Sequence, residues 1–472
     1  MRRLILILGL LAAASAAPAA IVAVETVEYP VESFWSAMDA NFDGSRIVAN
    51  FGGDIWLWEA GVWTHIDFGH ELSPGVGISA DGAAIISATD DPDTGLRNPA
   101  IWYEADGWTN PTLLGGIPGY GSCDNSVGSG YALNHDGSIA VGLGWNDCTG
   151  VAFMWTAESG MVDIGGVRAS MISDDGTVVT GFDHHPDWGG RRANYWLNDP
   201  SGTPPESVTG PILMGDPDDA PGEGYDTTSD GSMICGEHFP ADSGWMLSRA
   251  MVWTEATGII ELGTLGGNEN HRSIATHCAD DGKVCGVSGD PPPWGMWDVF
   301  LWTEAEGMRQ LKQLCLDSGA TLPDGFMDNN LVGVLTLSSD GSTLLVSWQD
   351  DMWNQGAYKI SFESTVAIDP IDEEEGESLP QAVALRQNYP NPFNPLTSIA
   401  FSLPAAEHVK LAIYDVAGRH VRTLHDGTAT AGEHTVVWDG SDRSGKSVPS
   451  GTYVYRLITD SRVYHRTMTI AK

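Results

Sequence analysis

Asp-Gly pairs recur seven times along this chain, each followed by a small or polar residue and then by an apolar run. Glycine adopts the positive φ of a tight turn freely, so such a pair between two runs predicts a β-hairpin. Two other Asp-Gly pairs in the same region, Asp106-Gly107 and Asp324-Gly325, lack the apolar run and are not counted. Seven hairpins at intervals of about forty to sixty residues predict an all-β fold, a seven-bladed β-propeller. The seven pairs are Asp43-Gly44, Asp81-Gly82, Asp136-Gly137, Asp175-Gly176, Asp230-Gly231, Asp281-Gly282 and Asp340-Gly341.

A tryptophan also recurs at one place in the repeat. In six of the seven units an apolar run ends in tryptophan, before a turn rich in glutamate and glycine. Because an indole buries a large apolar area, we expect these side chains to pack between neighbouring blades rather than to bind a ligand. The six are Trp58, Trp102, Trp155, Trp196, Trp253 and Trp302.

The two ends of the repeat region complement each other. The seventh unit ends near Glu363 after three strands, whereas a strand-like segment at 21–29 precedes the first hairpin. Pairing this segment with the seventh unit would supply its fourth strand and remove exposed sheet edges, which promote aggregation. The sequence therefore predicts a propeller over residues 21–363 that its N-terminal strand closes.

Residues 1–20 have the pattern of a secretory signal peptide. Arg2 and Arg3 precede a short apolar run at 4–11, and small residues suited to cleavage follow. The run is too short for a membrane span, and no other stretch of the chain is long and apolar enough. We therefore expect an exported, soluble protein without a transmembrane segment.

The charge of the chain is strongly negative and unevenly spread. The formal net charge is −40, and residues 4–384 carry 56 acidic against 11 basic side chains. Phosphate binding needs a basic surface, so this balance argues against a nucleic-acid partner. An acidic surface is typical of a highly solvated exterior, and it could also attract cations or a cationic partner.

Six cysteines, all in the repeat region, fit an oxidising compartment. Cys123 lies in the connection that enters the third unit, and Cys148 lies in the loop between that unit's second and third strands. Both should occupy one face, so we predict a Cys123–Cys148 disulfide. The connectivity of the others stays open; Cys278 and Cys285 lie opposite each other across a turn, a less favourable geometry for a bridge. No C-x-x-C motif occurs, and no metal site is predicted.

The repeat resembles a family of bacterial extracellular proteins. Its best-matching stretch is WTEATGIIELGTLGG, which ends in LGTLGG at 262–267 and is followed by an Asp-Gly turn and VCGVS. This pattern resembles the HAF repeats, and the resemblance covers about residues 30–363. It implies a secreted repeat protein and brings no known catalytic residues.

The C-terminal part of the chain has a different composition. Residues 364–384 are acidic and interrupted by proline, with too little apolar content to pack, and we interpret them as a linker. Strand-like runs then alternate with turns over 385–472, which predicts a small β-sandwich.

Several motifs in this sandwich occur in the order found in a known family. The module resembles the type A sorting domain of the type nine secretion system, which is similar to the immunoglobulin-like (Ig-like) domain of the flagellar hook-capping protein. The resemblance implies the type nine secretion machinery as a partner and a location outside the cell or on the outer-membrane surface. The final MTIAK departs from the usual Lys- and Met-rich ending. The matching residues include Asn388, Tyr389, Pro390, Asn391, Pro392, Phe393, Asn394, Pro395, Gly418, Arg419, Trp438 and Gly451.

Tryptophans and acidic residues share the predicted loops between second and third strands. In a propeller these loops project on one face, where an indole beside a carboxylate suits a sugar ring. The sequence therefore predicts a glycan-binding face, although the indoles could instead cap the blade ends. The candidate residues are Trp145, Trp188, Trp245, Trp297, Trp348, Asp187, Asp242 and Asp350.

Acidic clusters raise the question of a bound cation. Asp39, Asn41 and Asp43 mimic the opening of an EF-hand loop, but its twelfth position is Asn50 instead of glutamate. The same Asp-Gly pair recurs in every unit as a turn. We therefore expect no cofactor, with calcium as the one ion that tandem acids could hold.

Three classes of function fit these features. The chain has neither G-x-S-x-G nor H-E-x-x-H, so it shows no familiar catalytic motif and we expect no enzyme. The favoured interpretation is a non-catalytic secreted or cell-surface protein that binds an extracellular glycan or surface polymer. The alternatives are a polysaccharide hydrolase or lyase, which would need two carboxyl groups about 5–10 Å apart in one cleft, and a passive structural surface protein.

Overall fold

The structure is a computed structural model. Most of the predicted signal peptide and of the predicted linker lie outside the residues it describes. The described residues are 20–30, 36–68, 75–184, 190–200, 202–215, 222–240, 247–268, 270–290, 297–350, 355–363, 384–385, 397–403, 407–415, 419–429, 432–438, 440–441, 443, 446–459 and 463–470.

The fold is all-β and divides into two compact units, Met1–Val366 and Ala367–Lys472. In the described part of the first unit the helical elements are one α-helix, α1 (Leu311–Asp317), and two 3-10 turns, Glu104–Asp106 and Leu265–Gly267. Its strands, in chain order, are β1 (Ile21–Val27), β2 (Ser36–Ala40), β3 (Arg46–Phe51), β4 (Asp54–Glu59), β5 (Val62–Phe68), β6 (Gly77–Ile78), β7 (Ala84–Asp90), β8 (Arg97–Tyr103), β9 (Thr112–Leu113), β10 (Gly128–Leu133), β11 (Ile139–Asn146), β12 (Thr149–Thr156), β13 (Gly160–Asp163), β14 (Arg168–Ile172), β15 (Val178–His184), β16 (Arg191–Asn198), β17 (Val208–Leu213), β18 (Gly222–Thr227), β19 (Ile234–His238), β20 (Arg249–Thr254), β21 (Gly258–Gly263), β22 (Arg272–Cys278), β23 (Val284–Gly289), β24 (Trp297–Thr303), β25 (Gly307–Gln310), β26 (Asn330–Leu337), β27 (Thr343–Gln349) and β28 (Gln355–Phe362).

Four-stranded antiparallel sheets repeat along this unit. Among its described residues there are seven, and six of them are built from four consecutive strands: β2–β5, β6–β9, β10–β13, β14–β17, β18–β21 and β22–β25. The seventh has the order β1-β28-β27-β26, with Val24 opposite Ile360 and Val27 opposite Ala357. The start of the chain thus supplies the outer strand of the sheet that the end of the unit forms.

All seven Asp-Gly turns have the same internal geometry. Each glycine has φ between 67° and 84°, and its N–H donates to the carbonyl three residues earlier, at 2.8–3.1 Å. One carboxylate oxygen of each aspartate accepts the N–H two residues later, at 2.9–3.2 Å. In six turns an Asn, Ser or Thr two residues before the aspartate accepts a further backbone N–H; in the sixth unit Ala279 stands there. Side chains thereby satisfy the backbone donors that the turn leaves unpaired.

Hydrogen bonds also join each turn to the turn of the next sheet. Six run between backbone groups, and in one the Ser229 N–H donates to Asp280 Oδ1 at 2.8 Å. The last bond returns to the turn of the first sheet. The backbone pairs, donor first, are Phe42–Ala80, Asp81–His135, His135–Asp174, Asp175–Ser229, Asp280–Ser339 and Asp340–Phe42, at 2.8–3.1 Å.

The repeated tryptophans pack against the preceding sheet. Trp102 is fully buried among Val48, Ile55 and Leu57 of that sheet, and its Nε1 donates to Asp67 Oδ2 at 2.8 Å. The fully buried Trp196 likewise donates from its Nε1 to the Ile164 carbonyl, at the end of the preceding sheet. Trp155 is buried with Ile86 and Ile101 of the sheet before its own. Trp58, Trp253 and Trp302 pack against further clusters while partly buried.

A disulfide links the entrance of the third sheet to one of its hairpins. Cys123 precedes β10, Cys148 lies in the turn between β11 and β12, and their Cα atoms are 4.7 Å apart. The structure thus brings together the two cysteines that the sequence pairs. The other four cysteines, Cys235, Cys278, Cys285 and Cys315, are buried free thiols.

The second unit consists of two antiparallel sheets. Its described strands are β29 (Ala384–Leu385), β30 (Thr397–Leu403), β31 (Glu407–Asp415), β32 (His420–Ala429), β33 (Gly432–Trp438), β34 (Gly451–Ile458) and β35 (Val463–Ile470). One sheet has the order β29-β30-β33 and the other β32-β31-β34-β35. Ile399 and Phe401 of the first sheet share a core with Leu411, Ile413 and Tyr455 of the second, so the two sheets pack face to face.

Two turn glycines test the packing of the repeat, because they share a positive φ and differ in their surroundings. A methyl group on Gly231 would overlap Val178 of the preceding sheet, whereas one on Gly282 would meet nothing within 4 Å. We expect Gly282→Ala to cost about 1–2 kcal/mol of unfolding free energy through φ alone. Gly231→Ala should cost about 1–3 kcal/mol more through overlap. Urea denaturation of the full chain measures both, and equal losses would contradict close packing of Gly231 against Val178.

Candidate functional site

The strands that carry the Asp-Gly turns at their ends surround a small cavity. They are the first strands of sheets one to six, together with β26 of the seventh sheet, and each contributes lining residues. The cavity measures about 40 Å³, room for about three water molecules. Its polar wall contains Asp39, Asp174, Asp226 and His277, interspersed with apolar side chains such as Leu133.

The pKa values of three carboxyl groups in this cavity are raised above the usual range for aspartate. Burial raises the pKa of Asp39 to about 6, although the N–H groups of Ala40 and Ile78 donate to it at 2.8 and 2.9 Å. Burial, with smaller contributions from neighbouring carboxylates, raises the pKa of Asp226 to about 7. The pKa of Asp174 rises to about 8, again mainly through burial, and its Oδ2 is buried without a hydrogen-bond partner. Near pH 7 Asp39 is therefore mostly ionised, Asp226 about half ionised and Asp174 mostly protonated.

Two thiols lie beside one of these acids. The side-chain ligand atoms of Asp226, Cys235 and Cys278 are all within 4.8 Å of one another, and all three residues are buried. Burial is also the main cause that lowers the pKa of His277, on the same cavity wall, to about 4. His277 is thus neutral near pH 7.

Basic side chains collect at the opposite end of the sheets. First and third strands of a sheet run in the same direction, so they begin at the end away from the Asp-Gly turns. Six arginines occupy the first or second position of such strands in the described part of the first unit, and we call them the arginine face. They are Arg97, Arg168, Arg191, Arg192, Arg249 and Arg272.

Glu223 organises part of the arginine face. Its side chain is 0% exposed; Arg168 and Ser170 donate to one carboxylate oxygen, and Arg191 Nη1 donates to the other at 2.7 Å. Both guanidinium groups also lie over the ring of Phe182, at 5.1 and 4.6 Å from its centroid. Several donors and an aromatic contact offset the cost of burying this charge and hold both arginines in place.

A second cluster on the arginine face includes one of the predicted tryptophans. The Arg272 guanidinium lies 5.9 Å from the centroid of the Trp297 ring and 3.6 Å from Glu237. The Tyr225 hydroxyl donates to Glu237 at 3.0 Å, and burial followed by that carboxylate raises the pKa of Tyr225. An indole, a guanidinium and a carboxylate thus lie at the ends of rigid strands.

The predicted binding residues are only partly described. Trp145, Trp297 and Trp348 lie in β11, β24 and β27, at or near the strand ends that border the loops. The prediction that these three residues lie in loops is therefore wrong, because strand pairing includes them. All three are at the same end as the arginine face. Trp348 is a packing residue, since its ring stacks on Tyr358 with centroids 5.8 Å apart. Asp350 follows β27 and is partly buried. The remaining candidates, Trp188, Trp245, Asp187 and Asp242, lie outside the described residues.

Few residues of the predicted sorting motif are described. Trp438 is fully buried in the core of the second unit, and its Nε1 donates to the Ser441 carbonyl at 2.9 Å. Arg419 is exposed just before β32, and Gly451 begins β34. Residues 388–395 and Gly418 lie outside the described residues.

Sequence reasoning missed the two best-defined clusters. Arg168 and Glu223 are 55 residues apart in the chain, and Cys278 bonds to an aspartate 52 residues away. No local spacing could reveal either, although the enrichment of arginine at strand beginnings is visible in the sequence once the strands are known. Among the described residues, no helix is long and apolar enough to cross a membrane.

Comparison with known proteins identifies the C-terminal module. Residues 395–461 match the family described as FlgD Ig-like domain. A 48-residue stretch is 48% identical to the basal-body rod modification protein FlgD of Salmonella typhimurium, and covers 10% of this chain and 21% of that protein. The chain thus spans about a fifth of the length of the relatives it matches. The second unit is an Ig-like domain of the hook-capping type.

Solved structures resemble a larger part of the chain at low identity. The β-propeller domain of the Trilobed protease from Pyrococcus furiosus is 9% identical, with a TM-score of 0.45, and the match covers 73% of this chain and all of that one. PorZ, described as a surface component of the type-IX secretion system of Porphyromonas gingivalis, is 12% identical with a TM-score of 0.42, over 92% of this chain and 59% of PorZ. With its repeated four-stranded sheets, the first unit has a β-propeller-like fold.

The pKa of Asp174 generates a prediction for the pH dependence of stability. Its folded-state pKa of about 8 lies above the unfolded value of about 3.9. As pH rises between these values the unfolded state loses the proton first, so this group lowers the unfolding free energy progressively. Asp174→Asn removes the ionisation. We expect its thermal midpoint to exceed that of the native chain at pH 8, with the difference shrinking towards pH 4.

The exposed Asp328 provides the control for this measurement. Asp328→Asn makes the same substitution at an exposed position and is compared with the native chain in the same thermal melts, followed by tryptophan fluorescence. A constant difference between Asp174→Asn and the native chain from pH 4 to pH 8 would show that Asp174 titrates normally, and burial would then not raise its pKa.

Proposed function

We propose that the first unit is a closed, seven-bladed β-propeller of HAF-like repeats. Three observations support closure: β1 pairs with β28, the turn-to-turn hydrogen bonds return to their starting sheet, and the cavity has lining residues from all seven sheets. Such a ring presents the arginine face and the neighbouring loops on one rigid surface.

We further propose that this chain is a secreted or cell-surface protein, exported by the type nine secretion system after signal-peptide cleavage. The second unit would engage the secretion machinery. Support comes from its Ig-like fold of the hook-capping type and from the ordered motifs in the sequence, above all the Asn- and Pro-rich run at 388–395. The acidic composition of the propeller fits a soluble protein outside the cell.

The proposed activity is non-catalytic binding of an extracellular glycan or surface polymer at the arginine face. The observation that carries this proposal is the cluster of Trp297, Arg272 and Glu237, beside Arg168, Arg191 and Phe182. An aromatic face gives apolar stacking for a sugar ring, and guanidinium and carboxylate groups give hydrogen bonds to its hydroxyls. Rigid strands carry these groups, which lowers the ordering cost of binding.

A polysaccharide hydrolase is the second candidate, because the cavity gathers three carboxyl groups with raised pKa values from different sheets. The small size of the cavity supports the non-catalytic proposal over this one. A volume of about 40 Å³ admits about three water molecules, whereas a glycosidase must place a whole sugar ring between its acids. The carboxyl groups are therefore better matched to water or an ion than to a polysaccharide.

A glycan array probed with the full chain tests the binding proposal. We expect retention on a subset of polysaccharides, weakened about tenfold or more by Trp297→Ala and by the double variant Trp188→Ala/Trp245→Ala, since one aromatic contact contributes about 1.5 kcal/mol. Trp108→Ala, at the opposite end of the second sheet, is the matched control and should bind normally.

The thermal midpoints of these variants separate binding from packing. If Trp188→Ala/Trp245→Ala melts far below the native chain, these indoles cap the blade ends. If the native chain binds no polysaccharide on the array, the protein is a passive surface component and the binding proposal is wrong.

A further inference from the structure

We propose that Asp226, Cys235 and Cys278 form a binding site for one Zn²⁺ ion, or a similar borderline-soft divalent cation, in the wall of the central cavity. Their ligand atoms all lie within 4.8 Å of one another, and the three residues are 7%, 0% and 2% exposed. One carboxylate and two thiolates are ligands that zinc prefers, whereas calcium and magnesium select oxygen.

The backbone positions these three side chains. Cys235 lies directly opposite Asp226 in the pairing of β18 with β19, and Cys278 ends β22 of the next sheet. The Cys278 N–H donates to Asp226 Oδ2 at 2.9 Å, and the Thr227 N–H donates to Oδ1 at 2.8 Å. Each carboxylate oxygen has two lone pairs, so both bonds leave acceptor capacity for a cation. The site thus lies where two sheets meet.

The dimensions suit a tetrahedral ion with one open position. With Zn–S of about 2.3 Å, neighbouring ligand atoms would be about 3.8 Å apart, so small rotamer changes within the observed 4.8 Å complete the site. Asp226 and Cys278 also line the cavity, which has room for about three water molecules. A water molecule from the cavity can therefore occupy the fourth position.

Asp39 of the first sheet is the counterpart of Asp226 but has no cysteine beside it at the corresponding positions. In the first sheet Asp39 has the same setting as Asp226, since its carboxylate accepts the N–H of the next residue and that of Ile78 in the following sheet. The residue opposite Asp39 is Val48. Val48 thus corresponds to Cys235, and Ile78 corresponds to Cys278. The buried carboxylate needs no sulfur for its structural role, so the two thiols are a specific addition.

Charge and proton balance are simple at this site. When Zn²⁺ binds, the two thiols each release a proton and bind as thiolates, and Asp226 binds as its carboxylate. With Asp226 ionised and both thiols neutral the cluster has a net charge of −1, and it keeps −1 with the ion bound. No uncompensated charge is therefore added to a buried position.

Metal titration of the full, reduced and chelator-treated chain tests the proposal. We expect one equivalent of Zn²⁺ to bind and to raise the thermal midpoint, and Co²⁺ to give the absorption of thiolate-to-cobalt charge transfer. Cys235→Ala and Cys278→Ala should each weaken binding by at least about 100-fold and abolish that absorption, because even supporting residues around metal ligands account for 10–100-fold.

Two buried free thiols outside the cluster provide matched controls. Cys285→Ala and Cys315→Ala should bind Co²⁺ as the native chain does. The proposal is overturned if the native chain shows no cobalt–thiolate absorption, if Cys285→Ala loses it equally, or if peptide mapping of the secreted protein finds a Cys235–Cys278 disulfide.

Discussion

Hydrogen bonds between neighbouring Asp-Gly turns are the interaction on which the first unit depends. Each turn is fixed internally by its own side chains and is then joined to the turn of the next sheet. Neighbouring sheets otherwise contact each other through apolar side chains, such as Trp102 against Val48 and Leu57, and these contacts have no preferred direction. The hydrogen bonds do have one, so they fix the distance between neighbouring turns. The arrangement keeps seven strand ends around one small cavity.

The two ends of the sheets consequently have different chemistry. At the turn end, backbone N–H groups and buried carboxylates surround a space suited to water or one ion. At the other end, six of the 11 basic side chains of residues 4–384 collect in an otherwise acidic unit. Glu223 and Glu237 hold three of these arginines beside aromatic rings, so directional hydrogen-bond donors have fixed positions at this end of the strands. The buried carboxylates of the cavity and the basic side chains are thus separated along the strands.

The repeat could be predicted from the sequence because its determinants are local. The aspartate, the glycine and the apolar run of each turn follow one another directly in the chain, and the burial of a tryptophan such as Trp102 could be predicted from its recurrence. The clusters could not be predicted, since Arg168 meets Glu223, and Cys278 meets Asp226, only through the stacking of sheets. Trp348 shows the opposite error: an indole at a loop edge suggests a ligand, while its ring packs on Tyr358. Composition near a loop does not distinguish these roles.

Ring closure by the N-terminal strand is the central claim, and an engineered disulfide measures it directly. Glu25 lies opposite Lys359 in the pairing of β1 with β28. We predict that Glu25→Cys/Lys359→Cys forms an intramolecular disulfide in the full chain under mild oxidation, identified by non-reducing peptide mapping. Val22→Cys/Lys359→Cys, displaced along β1, should not. Absence of the bridge in the Glu25→Cys/Lys359→Cys variant, or equal bridging in the displaced pair, would contradict closure.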